Sequence, residues 1–391
     1  MSGRSSWDVV VVGAGSMGMS AGYHLAKRGV KTLLLDAFDP PHTNGSHHGE
    51  PRLIRHVYHG GPHYVRLALR ADELWRELEE ESGDKLLERS GVLNVSDPSV
   101  HSYAERLKDA DSAGIRYERL SGEEVRRRWR GLNVPDAFEA LYEPDAGYLY
   151  SEKCVAAYRR LALAAGAELL THAAAIRIAA TPREVTVHTT KGVHTAGSAI
   201  LCAGAWFRTL ASFADLPIRA VRTVVGWFEA EAPHFQAGTL PGFTIASRLG
   251  TYYGFPDIGG AGVKIGRHDT GRPWKPGDPF EPFGAYPEDE AGLRRALETF
   301  MPAAAGRLKK GLACKYELSS DEHFIIDAHA EYPNVLLAGG FSGHGFKFAS
   351  AIGEALADWI TGRKPPADLA PFARSRLADS APVHPPEEAM R

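Results

Sequence analysis

Four valines in a row, Val9 to Val12, run directly into Gly13-Ala14-Gly15-Ser16-Met17-Gly18 and then into a helical stretch, Ser20 to Arg28. No other feature limits the fold so tightly. A β-branched run of this kind fits a strand buried on both faces of a parallel sheet, and G-x-G-x-x-G between a strand and a helix is a turn that cradles a dinucleotide pyrophosphate. Gly13 permits the tight turn, Gly15 lets backbone approach the anion, and Gly18 lets the helix pack closely, while Ser16 and Met17 lie where aligned N–H groups point at anionic oxygens. A second apolar run, Thr32 to Leu35, ends at Asp36. That places a carboxylate about 20 residues beyond the loop, where it accepts hydrogen bonds from ribose hydroxyls and disfavours a 2′-phosphate. The bland alternative is a glycine turn that binds nothing; strand, spacing, helix and acid together argue against it.

Two later runs also end in glycine, Ala199-Ile200-Leu201-Cys202-Ala203-Gly204 and Val335-Leu336-Leu337-Ala338-Gly339-Gly340. Short buried strands separated by long insertions imply one nucleotide-binding sheet assembled from distant segments. The expectation is an α/β chain, α+β overall. A Rossmann-like domain is drawn from 1–85, 148–216 and 313–391, and an interleaved second domain, 86–147 and 217–312, is built on an antiparallel sheet. The glycine loop alone leaves FAD and NAD open. The interleaving favours FAD, because a simple NAD domain completes its sheet consecutively. No internal repeat is present.

At 391 residues the chain exceeds what one core usually supports. A net charge of -3 with 24% charged residues gives no global basic surface for nucleic acid or anionic lipid. The first apolar run is too short to span a bilayer and ends in a glycine loop rather than a cleavage site. The three cysteines, Cys154, Cys202 and Cys314, form no C-x-x-C pair, a reducing-compartment pattern without zinc spacing. No metal is expected. The last four residues, Glu388 to Arg391, match neither a peroxisomal tripeptide nor a lipidation box, so a cytoplasmic location is expected. The tail from Ser380, with Pro382, Pro385 and Pro386, reads as loosely ordered.

From Asp36 through Pro40-Pro41-His42-Thr43-Asn44-Gly45-Ser46-His47-His48-Gly49 to Arg52-Leu53-Ile54-Arg55-His56, the sequence resembles the monomeric sarcosine oxidase and N-methyltryptophan oxidase family. The likeness recurs at Tyr252 to Pro256, Lys264 to His268, Asp321 to Asp327 and Gly339 to Phe348, and so covers nearly the whole chain. It implies covalent FAD, bonded through the sulfur of Cys314 to the flavin 8α carbon. Cys154 and Cys202 read as core residues of a helix and a strand. It further implies that Arg52 lies beside the flavin ring, that Arg55 and Lys347 hold the substrate carboxylate, and that Lys264 activates oxygen. His47, His48, Tyr253, His268, Tyr316, Phe341, Ser342, Gly343, His344, Gly345 and Phe346 match positions lining the cofactor or substrate; of these the resemblance implies catalytic roles for Tyr253, Tyr316 and His268, the last in proton transfer, and substrate contact for Tyr253 and Gly343.

The physics of these residue types agrees. A carboxylate in a small dry pocket needs charge-assisted hydrogen bonds, and the three-residue spacing of Arg52 and Arg55 would suit one helical face. A lysine between Val263 and Ile265 in a predicted strand is either at a wet edge or preplaced to stabilise developing negative charge. The implied reaction is oxidation of a small N-methyl amino acid. Its N-methyl carbon is oxidised to an imine that water hydrolyses to formaldehyde, and oxygen takes the electrons to give hydrogen peroxide. The protein would act as a monomer on a small amine and oxygen.

Three departures from the family pattern bear on substrate preference. Pro51 lacks a hydroxyl and a backbone donor, Gly60 lacks a carboxylate that could counter the arginines, and Arg267 replaces a tyrosine. Larger secondary amines, a dehydrogenase that reacts poorly with oxygen, and a catalytically silent flavin-binding protein are the competing expectations.

Overall fold

The computed structural model describes residues 7–231 and 233–377, so the expectation for the tail from Ser380 lies outside the described residues. The valine run forms the strand Trp7–Val12, parallel to Thr32–Leu35 on one side and to Gly192–Leu201 on the other. Its side chains alternate between two cores, Val9 and Val11 in one, Val10 and Val12 in the other. Both faces are therefore covered, as a run of unbroken β-branched residues requires.

The two glycine-ended runs meet here as expected. Val335–Gly339 pairs in parallel with Gly192–Leu201, through Ala199 opposite Val335 and Leu201 opposite Leu337. An eight-stranded sheet results, ordered Ala175–Thr181, Glu184–Thr189, Gly192–Leu201, Trp7–Val12, Thr32–Leu35, Glu168–Leu170, with Val335–Gly339 and Ile325–Ala328 continuing beside Gly192–Leu201. The helix Ser16–Lys27 lies against this sheet on glycines: a Cβ added to Gly18 would sit 1.9 Å from the Gly13 carbonyl oxygen, and one on Gly22 2.6 Å from Leu34. The helix Ala349–Ile360 crosses just as closely, since a Cβ on Gly353 would lie 2.2 Å from the Ser20 hydroxyl oxygen.

A nine-stranded sheet, mostly antiparallel, is ordered Arg272–Trp274, Ile218–Phe228, Val263–Arg267, Gly250–Phe255, Gly242–Ser247, Val92–Ser96, Glu139–Glu143, Glu118–Ser121, with Leu308–Ser319 on the other side of Ile218–Phe228. Its own core contains Phe228, Phe243, Ile265 and Phe300. The helix Glu288–Phe300 is tied to it by Arg222, whose guanidinium forks onto buried Asp289 at 2.9 and 2.6 Å.

A small third sheet joins Arg52–Ile54 to Gly147–Leu149 and Leu87–Glu88. Here the sequence reading is corrected: Arg52 opens a strand, not a helical turn, and pairs with Leu149. Long-range pairing overrides the local spacing. Among the described residues no helix is long and apolar enough to cross a membrane, and no cluster of His, Cys, Asp or Glu could hold a metal ion.

Candidate active site

One cavity of about 890 Å³ runs from the glycine turn, beside the eight-stranded sheet, to the face of the nine-stranded sheet. That is near the upper end for a cofactor pocket. At the first end Gly13, with φ +92°, has no room for a side chain, because its Cβ would meet the Cys202 carbonyl oxygen at 2.4 Å. Cys202 thus sits just past the strand Gly192–Leu201, on the cavity wall, rather than inside the strand as expected.

The donor set at this end fits an adenine dinucleotide. A Cβ on Gly15 would find only His47, at 3.8 Å, so its backbone faces open space. The helix Ser16–Lys27 carries no side-chain cap on its first turn, which leaves N–H groups for an anion. Asp36 accepts from the Ala14 and Phe38 amides at 2.8 and 2.9 Å and meets His42 at 3.1 Å, fixing its carboxylate at the cavity. Burial pulls His47 down to about 3, so its neutral Nε2 accepts from the His42 amide. Glu317 reaches the same cavity with a buried carboxylate oxygen that no protein group meets, and burial raises its pKa to about 7. An orphaned polar atom of this kind calls for a polar ligand.

Midway, the loop preceding the strand Arg52–Ile54 is wrapped around Arg52. Its guanidinium donates to the carbonyls of Ser46, His48, Gly49 and Pro51 at 3.0, 2.5, 2.6 and 3.1 Å. Lys264, only 1% exposed, reaches the same loop from behind and donates to Gly49 and Pro51 at 2.7 and 3.0 Å. It does not sit on a wet edge: the strand Val263–Arg267 is interior, and the ammonium lies 4.8 Å from the Phe255 ring centre and 5.3 Å from that of Trp227. Burial, then Arg52, pulls its pKa well down. Cys314 packs against Val225 and Trp227. Burial raises its thiol, while Arg52, Lys264 and Lys315 draw it back.

At the far end Arg55 and Lys347 both lie over the Tyr58 ring, at 5.1 and 5.2 Å. Lys347 donates to the His344 carbonyl at 2.8 Å, and Arg55 has only a long contact, 3.3 Å, to Asn94. Burial, then Arg55, pulls Lys347 well below its ordinary pKa. Two cations with so few partners create a strong demand for an anion. His344 takes up both its nitrogens, with Tyr58 at 2.7 Å and the Glu322 carbonyl at 2.9 Å, which fixes the tautomer with its proton on Nε2. Tyr316 donates to Tyr253 at 3.2 Å, and burial, then Lys347 and Arg55, lowers His268 to about 4.

The cavity wall brings together Gly13, Gly15, Ser16, Met17, Asp36, His47, Arg52 and Arg55 with Tyr253, His268 and Tyr316 and with Phe341, Gly343, His344, Gly345, Phe346 and Lys347. Gly18, His48, Lys264, Cys314 and Ser342 stand behind it. Gly18 packs the helix, His48 contacts Glu152 at 3.3 Å, and Ser342 bonds Gly340 and Ser319. Of the departures, Pro51 supplies one of the two carbonyls that Arg52 and Lys264 share. Gly60, at φ +93°, would aim a Cβ at Tyr64 and His323, and Arg267 pairs with Asp269. Sequence reasoning missed Glu317, His59, His101, Tyr103 and Arg106. Arg106 in particular lies on the short, largely exposed helix Ala104–Ser112, where an arginine reads as part of a solvated face.

Comparison with known proteins agrees with this geometry. The family model described as FAD dependent oxidoreductase matches residues 8–359. Monomeric sarcosine oxidase of Bacillus sp. (strain NS-129) is 48% identical over 376 residues, covering 95% of this chain and 97% of that one. N-methyl-L-tryptophan oxidase of Salmonella newport (strain SL254) is 38% identical over 373 residues, covering 95% and 99%. Among solved structures, the Tyr-to-Phe mutant of NikD, an unusual amino acid oxidase, superposes with a TM-score of 0.84 at 23% identity, covering 95% and 97%, a likeness of fold.

Proposed function

The chain belongs to the FAD dependent oxidoreductases, in the sarcosine oxidase family, and from that premise we propose that it oxidises the N-methyl group of sarcosine or a similarly small N-methyl amino acid. Oxygen and water are consumed, and the parent amino acid, formaldehyde and hydrogen peroxide are formed. The observation that carries this reading is the single cavity joining Gly13 and Asp36 at one end to Arg55 and Lys347 at the other.

When bound, FAD supplies the acceptor for two electrons and their route to oxygen. The glycine turn and the first turn of the helix Ser16–Lys27 would hold the pyrophosphate, and Asp36 the adenosine ribose. Cys314 is the residue proposed for the covalent bond to the 8α carbon. Burial raises the Cys314 thiol, and the nearby cations Arg52, Lys264 and Lys315 oppose that rise, toward the thiolate that such a bond requires.

Arg55 and Lys347 would clamp the substrate carboxylate against the Tyr58 face. The same positive field disfavours an ammonium, so the amine is held neutral, the form that can give up electrons. His268 and His344 are neutral near pH 7 and add no competing charge. Lys264 is solvated by the Gly49 and Pro51 carbonyls, which favour its ammonium against the pull of burial, and it is placed to stabilise negative charge as oxygen is reduced.

Oxygen uptake and peroxide release across sarcosine, N-methylalanine, N-methyltryptophan, L-proline and L-pipecolate test this. Turnover greatest with the first two is expected. Silence across the panel would remove the oxidase reading, and preference for a bulky or cyclic amine would remove the small substrate.

A further inference from the structure

The cavity does not end at Arg55 and Lys347. It continues past Tyr58 to His59, Val100, His101, Tyr103 and Arg106. Arg106 stands over the Tyr103 ring at 5.9 Å, its Nε is buried without a partner, and it makes no ion pair or hydrogen bond among the described residues. Nearby acids do not answer it. Glu143 is buried and spends its oxygens on the His56 and Val57 amides and the Asn94 side chain, Glu139 faces Arg119, and Glu322 is exposed at the rim. His59 and His101, both lowered by burial and by Arg106, to about 3 and about 4, are neutral donors or acceptors beside it.

A first carboxylate satisfies Arg55 and Lys347 and leaves Arg106 unanswered. Building on the function proposed above, we infer that Arg106, with His59 and His101, forms a second anion subsite, so that among N-methyl amino acids with longer side chains an acidic one is accepted over its neutral isostere. The physical reason is the cost of a half-buried guanidinium with no counter-charge, which a second substrate carboxylate removes by a charge-assisted hydrogen bond. Arg106 is a specificity-determining residue in this account and takes no part in the redox step.

The test compares N-methyl-L-glutamate with its near-isostere N-methyl-L-glutamine on the flavin-loaded enzyme. In wild type the acid is expected to exceed the amide in kcat/KM by tenfold or more. Arg106→Gln is expected to bring that ratio to about one, and Arg106→Lys to restore part of it. A wild-type ratio of one or less overturns the subsite even if the variants fail to fold. Binding of glutarate against butyrate, read from the flavin absorption band, separates this inference from the reaction itself. Tighter glutarate binding that is lost in Arg106→Gln supports the subsite even in a protein that oxidises no N-methyl compound, and equal binding rejects it even in one that oxidises sarcosine.

Discussion

Lys264 and Arg52 donate to the same two carbonyl oxygens, those of Gly49 and Pro51. Two cations thus grip one short loop from opposite sides, Arg52 at the cavity wall and Lys264 behind it. The lysine has a structural duty as well as the electrostatic one proposed for it, and the two can be separated.

Replacing Lys264 by Met removes the charge while Arg52 still holds the loop. Reoxidation of the reduced enzyme by oxygen should slow by about 10²–10³-fold, the scale of one preorganised electrostatic group. Anaerobic reduction by substrate should change far less. Equal slowing of both half-reactions, measured by stopped-flow, would leave Lys264 only its grip on the loop.

Lys347→Met and Arg55→Leu each remove one charged partner of the proposed carboxylate clamp. A hydrogen bond to a charged group is worth about 1.5–3 kcal/mol, so each should raise the KM for sarcosine by roughly 10–100-fold. An unchanged KM would place the carboxylate elsewhere in the cavity.

Covalent attachment has a direct readout. Acid precipitation should carry the yellow flavin down with the wild-type polypeptide and leave it in the supernatant of Cys314→Ala. Flavin released from the wild type would rule the bond out.

Stability should fall in acid for a reason remote from the site. His24 is buried against Tyr23 and Tyr158, its Nε2 has no partner, and burial lowers its pKa from 6.5 to about 3. Below pH 6.5 the unfolded chain binds a proton that the folded chain refuses. The stability lost on this account is small above 6.5, grows as pH falls, and reaches about 2 kcal/mol at pH 5. His24→Leu should shrink the drop in Tm between pH 7.5 and 5. Parallel curves for the two proteins would contradict the assignment.

The nucleotide end of the fold was legible because its signals are local. The valine run, the glycine spacing and Asp36 each carry their reason within a few residues, and the later glycine-ended runs announce buried strands. Arg52 reads locally as part of a helical face because its strand partner, Leu149, is distant in sequence and leaves no periodic trace. Cys202 reads as a strand residue because the apolar run continues past the last paired residue, Leu201. Glu317 and Arg106 leave no local signal in the sequence. A charged residue on a strand or an exposed helix becomes a site residue only when the tertiary fold denies it a partner.

The proposed reaction has a direct spectroscopic readout when the purified flavoprotein is mixed with sarcosine without oxygen and air is then admitted. The flavin absorbance should bleach and then return, with glycine, formaldehyde and one hydrogen peroxide formed per sarcosine consumed. A flavin that stays oxidised in the presence of sarcosine and of other small N-methyl amino acids would contradict it.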